Sequence, residues 1–314
     1  MSSWTRPDPD RWAVPSVPLL SRTGHDRRAD RRTDGDYLDA AWRNSNSRVL
    51  LVSPRGTVEV VDGPNLVFHR PAEVDAAGVR VFLGHADDAD YFAQLSTDAV
   101  GDDSWRTLRD VGAQLTDLDV GLFTAAVALQ EWHRRHQHCP RCGALTEPAQ
   151  AGWTRVCPVD GSEHFPRTDP AVIMLIHDGA GRCVLARGPQ WGPGRMSVLA
   201  GFVEAGESAE SAVAREVGEE VGIAIRDIRY EGSQPHPFPA SLMLGFTARL
   251  DGDPTLKIDG SEIVEAGWYS RDEVRRAGDW GADDSAPTEA VLRALPPTMS
   301  IARQLINTWL EATD

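Results

Sequence analysis

One stretch, residues 201–223 (GFVEAGESAESAVAREVGEEVGI), constrains the fold more than any other part of the chain. Residues 208–221 contain no proline and are dominated by Ala, Glu, Val and Arg, so the sequence predicts a helix there. Glu216, Glu219 and Glu220 are spaced i, i+3 and i+4, which puts their carboxylates on one helix face. A divalent cation such as Mg²⁺ would relieve the repulsion between them. On spacing alone, a solvated acidic face is the simpler interpretation.

The same stretch resembles the Nudix box, in which a glycine, a glutamate, Arg-Glu, an apolar residue, Glu-Glu and Gly-apolar occur at fixed spacings. The defined positions are filled here by Gly201, Glu207, Arg215, Glu216, Val217, Glu219, Glu220, Gly222 and Ile223. Nudix enzymes hydrolyse a diphosphate linked to another moiety. The resemblance implies an α/β (α+β) fold in which a mixed β-sheet lies between helices. Arg215 is expected to orient carboxylates by ion pairing, and Glu207 to support it.

The resemblance also assigns roles to individual residues. The implied ligands of a catalytic Mg²⁺ or Mn²⁺ are Ala200, through its carbonyl, with Glu216, Glu220 and Glu262. Glu265 is a close rival to Glu262 for the last position. Glu220 is the expected general base and Glu219 the alternative, with Glu216 as a further catalytic carboxylate.

A second informative stretch lies downstream at residues 233–241 (SQPHPFPAS). Its three prolines within five residues exclude a regular helix or a central strand, so we expect a rigid loop. The loop resembles the SQPWPFPxS signature of the NADH pyrophosphatase (NudC-type) branch of Nudix enzymes, but His236 stands where the signature has Trp. The implied substrate-binding residues are Phe165, Phe202, Gln234, Pro235, His236, Pro237, Phe238, Pro239, Ala240, Ser241, Glu262 and Ala302. Phe202 would stack on the nicotinamide, Phe165 would pack against a base, and Ala302 would act through its backbone.

Three of the four cysteines form a candidate zinc site. Residues 139–142 (CPRC) form a knuckle whose two thiolates can hold one tetrahedral metal, and Cys157 follows after 14 residues. A regular zinc ribbon has a fourth cysteine where this chain has Asp160. His164 is a rival for that position, Glu163 is a weaker one, and a site without zinc is the remaining alternative. The favoured ligands of a structural Zn²⁺ are therefore Cys139, Cys142, Cys157 and Asp160.

Composition limits the class of protein. The 314 residues are 41% hydrophobic and 25% charged, as expected of a soluble globular chain. The net charge of −15 argues against a broad nucleic-acid footprint, although not against reading one terminal nucleotide. No apolar run is long enough to span a membrane, and the N-terminus lacks a secretory signal, so we expect a cytoplasmic protein.

Punctuation by Gly and Pro divides the chain into four predicted parts. These are an irregular arm at 1–35, a β-rich domain at 36–136, a zinc-ribbon-like module at 137–168 and a Nudix domain at 169–314. In the β-rich domain the pattern predicts short strands at 49–52, 58–61, 66–69, 79–83 and 91–95. Helices are predicted at 36–44, 119–137 and 300–313.

The family resemblance leads to three hypotheses for function. In the first, the protein is an NAD(H) diphosphatase that forms a nicotinamide mononucleotide and AMP and also removes NAD caps from RNA 5′ ends, acting as a homodimer. In the second, it hydrolyses other nucleoside diphosphate derivatives, such as ADP-ribose or oxidised nucleotides. In the third, it is a nucleotide sensor without activity, which the complete glutamate set argues against.

Overall fold

The computed structural model describes residues 18–61, 63–74, 77–98, 102–258, 260–280 and 292–312. The first 17 residues of the predicted arm, most of the predicted polar loop at 279–288 and Thr313 lie outside these ranges. The rest of the arm packs against the N-terminal domain. Leu20 is buried in its core, and Asp26 pairs with His85 through two backbone hydrogen bonds of 2.8 and 2.9 Å. Of the helices described, none is both long and apolar enough to cross a membrane.

Two small sheets and a long helix form the N-terminal domain. The strands are β1 Arg48–Val52, β2 Thr57–Val61, β3 Asn65–Leu66, β4 Phe68–His69, β5 Gly78–Ala86, β6 Ala89–Ser96 and β7 Trp105–Thr107. The helices are α1 Gly35–Arg43, α2 Leu108–Val111 and α3 Asp117–Arg135. One sheet has the order β4-β1-β6-β5, and the other has the order β3-β2-β7. The predicted elements are confirmed within a few residues, except that 66–69 divides into two strands.

Helix α3 is the central helix of this domain, and nearly every turn of it has buried residues. The side chain of Thr116 caps its N-terminus by accepting a hydrogen bond from the Asp119 backbone. Leu122, Phe123 and Ala126 are fully buried in the core that the helix shares with the strands. Trp132 is buried at its far end and belongs to the same core.

A three-stranded antiparallel sheet follows, with the order β10-β9-β8. Its strands are β8 Glu147–Ala149, β9 Thr154–Val156 and β10 Glu163–His164. The loops 139–143 and 157–161 each close with a backbone hydrogen bond between residues i and i+4, of 2.8 and 2.9 Å. The two loops bring the predicted zinc ligands to the same end of the small sheet.

The C-terminal part has a mixed sheet with helices on both faces, as the family resemblance implies. Its strands are β11 Asp169–His177, β12 Arg182–Arg187, β13 Leu199–Phe202, β14 Ala224–His236, β15 Ser241–Asp251, β16 Glu265–Ser270, β17 Gly278–Asp279 and β18 Ala294–Leu295. The helices are α4 Ala209–Val221, α5 Arg271–Arg276 and α6 Ile301–Glu311. The main sheet has the order β14-β15-β11-β12-β16, and β13 also pairs with β11.

The two faces of this sheet carry separate cores. Val172, Met174 and Phe246 pack with the apolar side of α4, whereas Ile173 and Leu175 pack with α6. The alternation follows from the two-residue period of a strand. Because β13 runs along β11, it delivers residues 200–202 to the start of α4.

The proline-rich stretch differs from the expected loop. Residues 233–236 continue β14, and Pro235 pairs in register with Leu242 of β15. The strand accommodates this proline because β14 is at the edge of the sheet. An edge strand has a neighbouring strand on one side only, and prolines within sheets are largely confined to such strands. The rigid turn is therefore limited to residues 237–240.

Candidate active site

Helix α4 has defined ends that fix the position of its carboxylates. Ser208 accepts a hydrogen bond from Ser211 at the N-terminus, and Gly222 ends the helix in the left-handed conformation at φ 69°. Glu216 and Glu220 are both only 7% exposed, whereas the carboxylate of Glu219 points to solvent and is 60% exposed. The predicted acidic face is therefore divided into a buried pair and an exposed third member.

The glycine that opens the box lies directly against one of these carboxylates. A Cβ atom on Gly201 would be 1.9 Å from Cδ of Glu216 and 2.0 Å from its Oε1. Such a distance is far below van der Waals contact, so any side chain at position 201 would displace the glutamate. Gly201 lies in β13, next to the carbonyl of the exposed Ala200. The glycine thus sets how closely the strand backbone approaches the carboxylate.

Arg215 links the carboxylates, as predicted. Its Nε and Nη2 donate to the two oxygens of Glu207, each at 2.9 Å, and its Nη1 donates at 2.9 Å to both Glu216 and Glu219. Nη2 also donates to the Phe202 carbonyl at 2.9 Å. These hydrogen bonds, led by the pair to Glu207, raise the pKa of Arg215 above its usual value, so it remains a cation. Its position is that of an orienting residue.

Neighbouring charges act on the Glu216 carboxylate. Burial raises the pKa of Glu216, and the charges of Glu219 and Glu262 raise it further, while Arg215 opposes them. Glu265, the rival of Glu262, instead receives a hydrogen bond of 2.9 Å from Arg187. Among the described residues these glutamates do not form a group of three whose ligand atoms all lie within 4.8 Å of one another. Carboxylate oxygens are the donors that a hard divalent cation prefers, so Glu216 and Glu262 stay predicted ligands.

The edge strand carries one polar group suited to a ligand. Gln234 is 2% exposed, and its Nε2 donates to the Met299 carbonyl at 3.1 Å. Its Oε1 is buried and has no hydrogen-bond partner among the residues that the structure describes. The buried Ala302 follows in α6, three residues after Met299. A buried acceptor without a donor is costly unless a ligand or water supplies one.

His236 contacts Arg109 of the N-terminal part and Phe238 of the following turn. Its Nε2 is 3.4 Å from Nη2 of Arg109 in α2, and its ring packs edge-on against Phe238 at 5.0 Å. The Arg109 guanidinium lies over the Phe238 ring at 4.0 Å. Burial and, secondarily, Arg109 lower the pKa of His236 to about 4, so the imidazole is neutral at pH 7. Sequence reasoning missed Arg109 because no local pattern joins residues 127 positions apart.

The other predicted aromatic and loop residues for substrate binding lie in two different environments. Phe202 and Phe165 are exposed aromatic rings, at 60% and 63% exposure. The end of the proline stretch lines a cavity of about 240 Å³ that also contacts α3 and Trp153. Its members from that stretch are Pro235, Pro237, Pro239, Ala240 and Ser241. Because Gln234 and Pro235 are consecutive in a strand, they face opposite sides of it, so this cavity and the unpaired Gln234 oxygen are on different sides.

The four favoured zinc ligands converge. The ligand atoms of Cys139, Cys142, Cys157 and Asp160 all lie within 4.8 Å of one another. Sγ of Cys139 is 3.7 Å from Oδ2 of Asp160. The backbone N–H of Ser162, at 2.9 Å, and its hydroxyl both donate to the other oxygen, Oδ1. These hydrogen bonds, with smaller contributions including the charge of Arg141, hold the pKa of Asp160 well below its usual range.

His164 contacts Ser162, which in turn bonds Asp160 of this cluster. Its Nε2 is 3.1 Å from the Ser162 hydroxyl, and it is not a member of the convergent group. A set of three thiols and one carboxylate oxygen at these separations matches a closed tetrahedral Zn²⁺ site.

Comparisons with known proteins identify two domain families in this chain. The NUDIX domain family matches residues 167–290, and the NADH pyrophosphatase zinc ribbon domain matches residues 134–165. The chain is similar to the NAD-capped RNA hydrolase NudC of Mycobacterium bovis, with 43% identity over 94% of this chain and 95% of that protein. The protein of that name from Mycobacterium tuberculosis gives the same figures.

More distant relatives are also found. The NAD(P)H pyrophosphatase NUDT13, mitochondrial, of Mus musculus is 41% identical over 66% of this chain and 60% of that protein. A solved Nudix hydrolase structure from Nitrosomonas europaea covers 51% of this chain and 97% of that one, at 18% identity and a TM-score of 0.38. The full-length similarity to the mycobacterial proteins establishes the family: this chain belongs to the Nudix hydrolases, in their NudC-type NADH pyrophosphatase branch.

Proposed function

We propose that this protein hydrolyses the diphosphate of NADH and NAD⁺ to nicotinamide mononucleotide and AMP, and that it removes NAD caps from RNA 5′ ends. The strongest support is the position of the buried carboxylates of Glu216 and Glu220 on α4, which Arg215 links to β13 through the Phe202 carbonyl. The same C-terminal part holds the Gln234 oxygen, which has no hydrogen-bond partner among the described residues. The names of the mycobacterial relatives support the same substrates.

Two kinds of metal fit the donor sets. Ala200, Glu216, Glu220 and Glu262 are the proposed ligands of Mg²⁺ or Mn²⁺, and Cys139, Cys142, Cys157 and Asp160 those of Zn²⁺. When bound, Mg²⁺ or Mn²⁺ neutralises diphosphate charge and makes the attacking water more acidic. Zn²⁺ would fasten the two loops of the small module and take no part in the reaction.

The remaining chemistry belongs to the side chains. Phosphoryl transfer requires an aligned nucleophile and charge neutralisation more than covalent help from the protein. Glu220 accepts a proton from the attacking water, whose oxygen bonds to phosphorus as the bridging P–O bond breaks. Two monophosphates result. Glu219, which is exposed and held by Arg215, is the alternative base.

Substrate recognition would use the edge strand and the exposed ring beside the box. The Oε1 of Gln234 suits an amide or amino donor of the dinucleotide. Phe202 offers a ring face for stacking on the nicotinamide, and the Ala302 backbone a polar contact. The turn 237–240 fixes the end of the strand that presents Gln234. The proposal also includes a homodimer and a cytoplasmic location. It divides the chain into domains that end at residues 35, 136, 168 and 314.

A substrate panel tests the proposal. NADH, NAD⁺, an NAD-capped RNA, ADP-ribose and 8-oxo-dGTP are each incubated with purified protein and Mg²⁺ or Mn²⁺, and the nucleotide products are separated. We expect mononucleotide products from NADH and NAD⁺ at the highest kcat/KM, and release of nicotinamide mononucleotide from the capped RNA. Faster turnover of ADP-ribose or 8-oxo-dGTP would favour the second hypothesis. Absence of turnover by folded protein would favour a nucleotide sensor.

A further inference from the structure

A second cavity lies where the N-terminal domain meets the small cysteine-containing sheet. Its volume is about 550 Å³, and its walls come from β5, the end of β6, α3 and residues 145–148. Cavities of this size at a junction between structural units, with mostly apolar walls and a few polar groups, are the usual form of a small-molecule site. Neither the candidate active site nor the zinc ligands contribute to it.

Arg155 lines this cavity and is a buried charge with no counterion in the described part of the chain. It is 5% exposed, and no carboxylate among the described residues lies within ion-pair distance of it. Its contacts are neutral: Nε donates to the Thr146 hydroxyl at 2.7 Å, Nη1 donates to Nδ1 of His133 at 2.9 Å, and Nη2 donates to the Thr146 carbonyl. Buried charges are ordinarily paired because an unpaired one costs several kcal/mol, as an order of magnitude.

His133 cannot supply the missing negative charge. Its Nε2 is 2.8 Å from the Gly152 carbonyl, which assigns the proton to Nε2 and leaves Nδ1 as the acceptor for Arg155. Burial lowers the pKa of His133 to about 4, and Arg155 also lowers it, so the ring is neutral. Glu147, the one acid in the described lining of the cavity, is exposed.

The guanidinium has donors to spare. An arginine carries five N–H groups, and the three bonds described leave one on each terminal nitrogen. Guanidinium N–H groups are well suited to the oxygens of a phosphate or carboxylate.

A second polar group points to the same conclusion. Gln130 of α3 also lines the cavity and is 5% exposed. Its amide makes no hydrogen bond with any other residue that the structure describes. A buried amide and a buried guanidinium with unused donors therefore share one apolar-walled space.

We propose that this cavity is a binding site for a small molecule that carries a phosphate or carboxylate group on an apolar body, with Arg155 and Gln130 as its polar anchors. The anion supplies the counter-charge that the described residues around Arg155 lack, and the apolar body fills the remaining volume against residues such as Val79 and Leu95. The site goes beyond the proposed function, since it uses none of the residues assigned to diphosphate hydrolysis.

Calorimetry with three probes tests the site on the full-length protein: phenyl phosphate, inorganic phosphate and phenol. Phenyl phosphate should bind most tightly, inorganic phosphate more weakly, and phenol most weakly. Gln130→Met should weaken phenyl phosphate binding by about threefold, the effect of one neutral hydrogen bond. Arg155→Lys should weaken it by about tenfold or more because lysine lacks the planar set of N–H donors of the guanidinium.

Glu220→Gln is the control for binding at the candidate active site and should bind phenyl phosphate as the wild type does. Loss of binding in that variant would show that the probe occupies the other site, and would overturn the proposal. So would equal binding of phenol and phenyl phosphate, or failure of the wild type to bind at millimolar concentrations. If Arg155→Lys does not fold, Gln130→Met decides, since it removes no hydrogen bond of the fold; unchanged affinity there contradicts the assignment.

Discussion

The carboxylate of Glu216 occupies the space that a side chain on Gly201 would need. A Cβ on Gly201 would lie 1.9 Å from Cδ of Glu216, although the two residues are in different elements, β13 and α4. The glycine of the box is therefore required by sterics and not by an unusual backbone conformation. Close approach of the strand would let the backbone and the carboxylate act on the same metal ion, as proposed.

Gly201→Ala tests this relationship. The added methyl group must displace the Glu216 carboxylate, so we expect kcat/KM for NADH to fall by about 100-fold or more, as for misplacement by an ångström. The matched control is Gly218→Ala in α4, the helix of Glu216, where a Cβ meets nothing within 4 Å. That variant should keep its activity and gain about 0.5–1 kcal/mol in free energy of unfolding. Normal activity of Gly201→Ala would contradict the steric argument.

The choice of general base is tested by comparing two amides. Glu220→Gln should lower kcat by about 10³-fold or more while the far-ultraviolet circular dichroism is unchanged, because proton transfer and a metal ligand are lost together. Glu219→Gln should have a smaller effect, since its carboxylate is exposed and paired with Arg215. A larger loss in Glu219→Gln, or near-normal turnover in Glu220→Gln, would reverse the assignment.

Metal analysis of the cysteine module separates Asp160 from its rivals. Purified protein should contain one zinc per chain, and Asp160→Ala should weaken zinc affinity by about tenfold or more in competition with a chromophoric chelator. Asp160→Cys should tighten it. His164→Ala is the control, since its Nε2 contacts Ser162 and does not belong to the convergent set. If His164→Ala loses zinc while Asp160→Ala keeps it, the fourth ligand has been misassigned.

His236 should make the protein acid-sensitive. Burial, helped by Arg109, lowers its folded pKa from 6.5 to about 4. Between pH 6.5 and pH 4, His236 therefore binds a proton in the unfolded chain but not in the folded chain. The free energy of unfolding consequently falls as the pH drops from 6.5 towards 4. His236→Gln should remove about 1–3 kcal/mol of that loss, measured by urea unfolding at pH 7 and pH 4.5. Equal pH dependence of the two proteins would contradict this, since it would show that the folded protein protonates the His236 imidazole as readily as the unfolded chain does.

Local patterns in the sequence predicted most of the helices and strands. The helix of the box was predictable because its composition and its glutamate spacing agree, and the knuckle because two cysteines three residues apart can hold one metal. The edge position of β14 could not be foreseen, since the prolines exclude a central strand without specifying which edge accepts them. Long-range contacts were also missed: Arg109 reaches His236 and Phe238, and Arg155 reaches His133, with no signal in the spacing of residues.

The acidic face of α4 is proposed to cleave the diphosphate of a nicotinamide dinucleotide. The decisive experiment is chromatography of the products formed from NADH by the wild-type protein with Mg²⁺ or Mn²⁺ present. We expect equal amounts of reduced nicotinamide mononucleotide and AMP, with no free nicotinamide. Intact NADH after incubation with folded, metal-supplied protein, or release of nicotinamide and ADP-ribose, would contradict it.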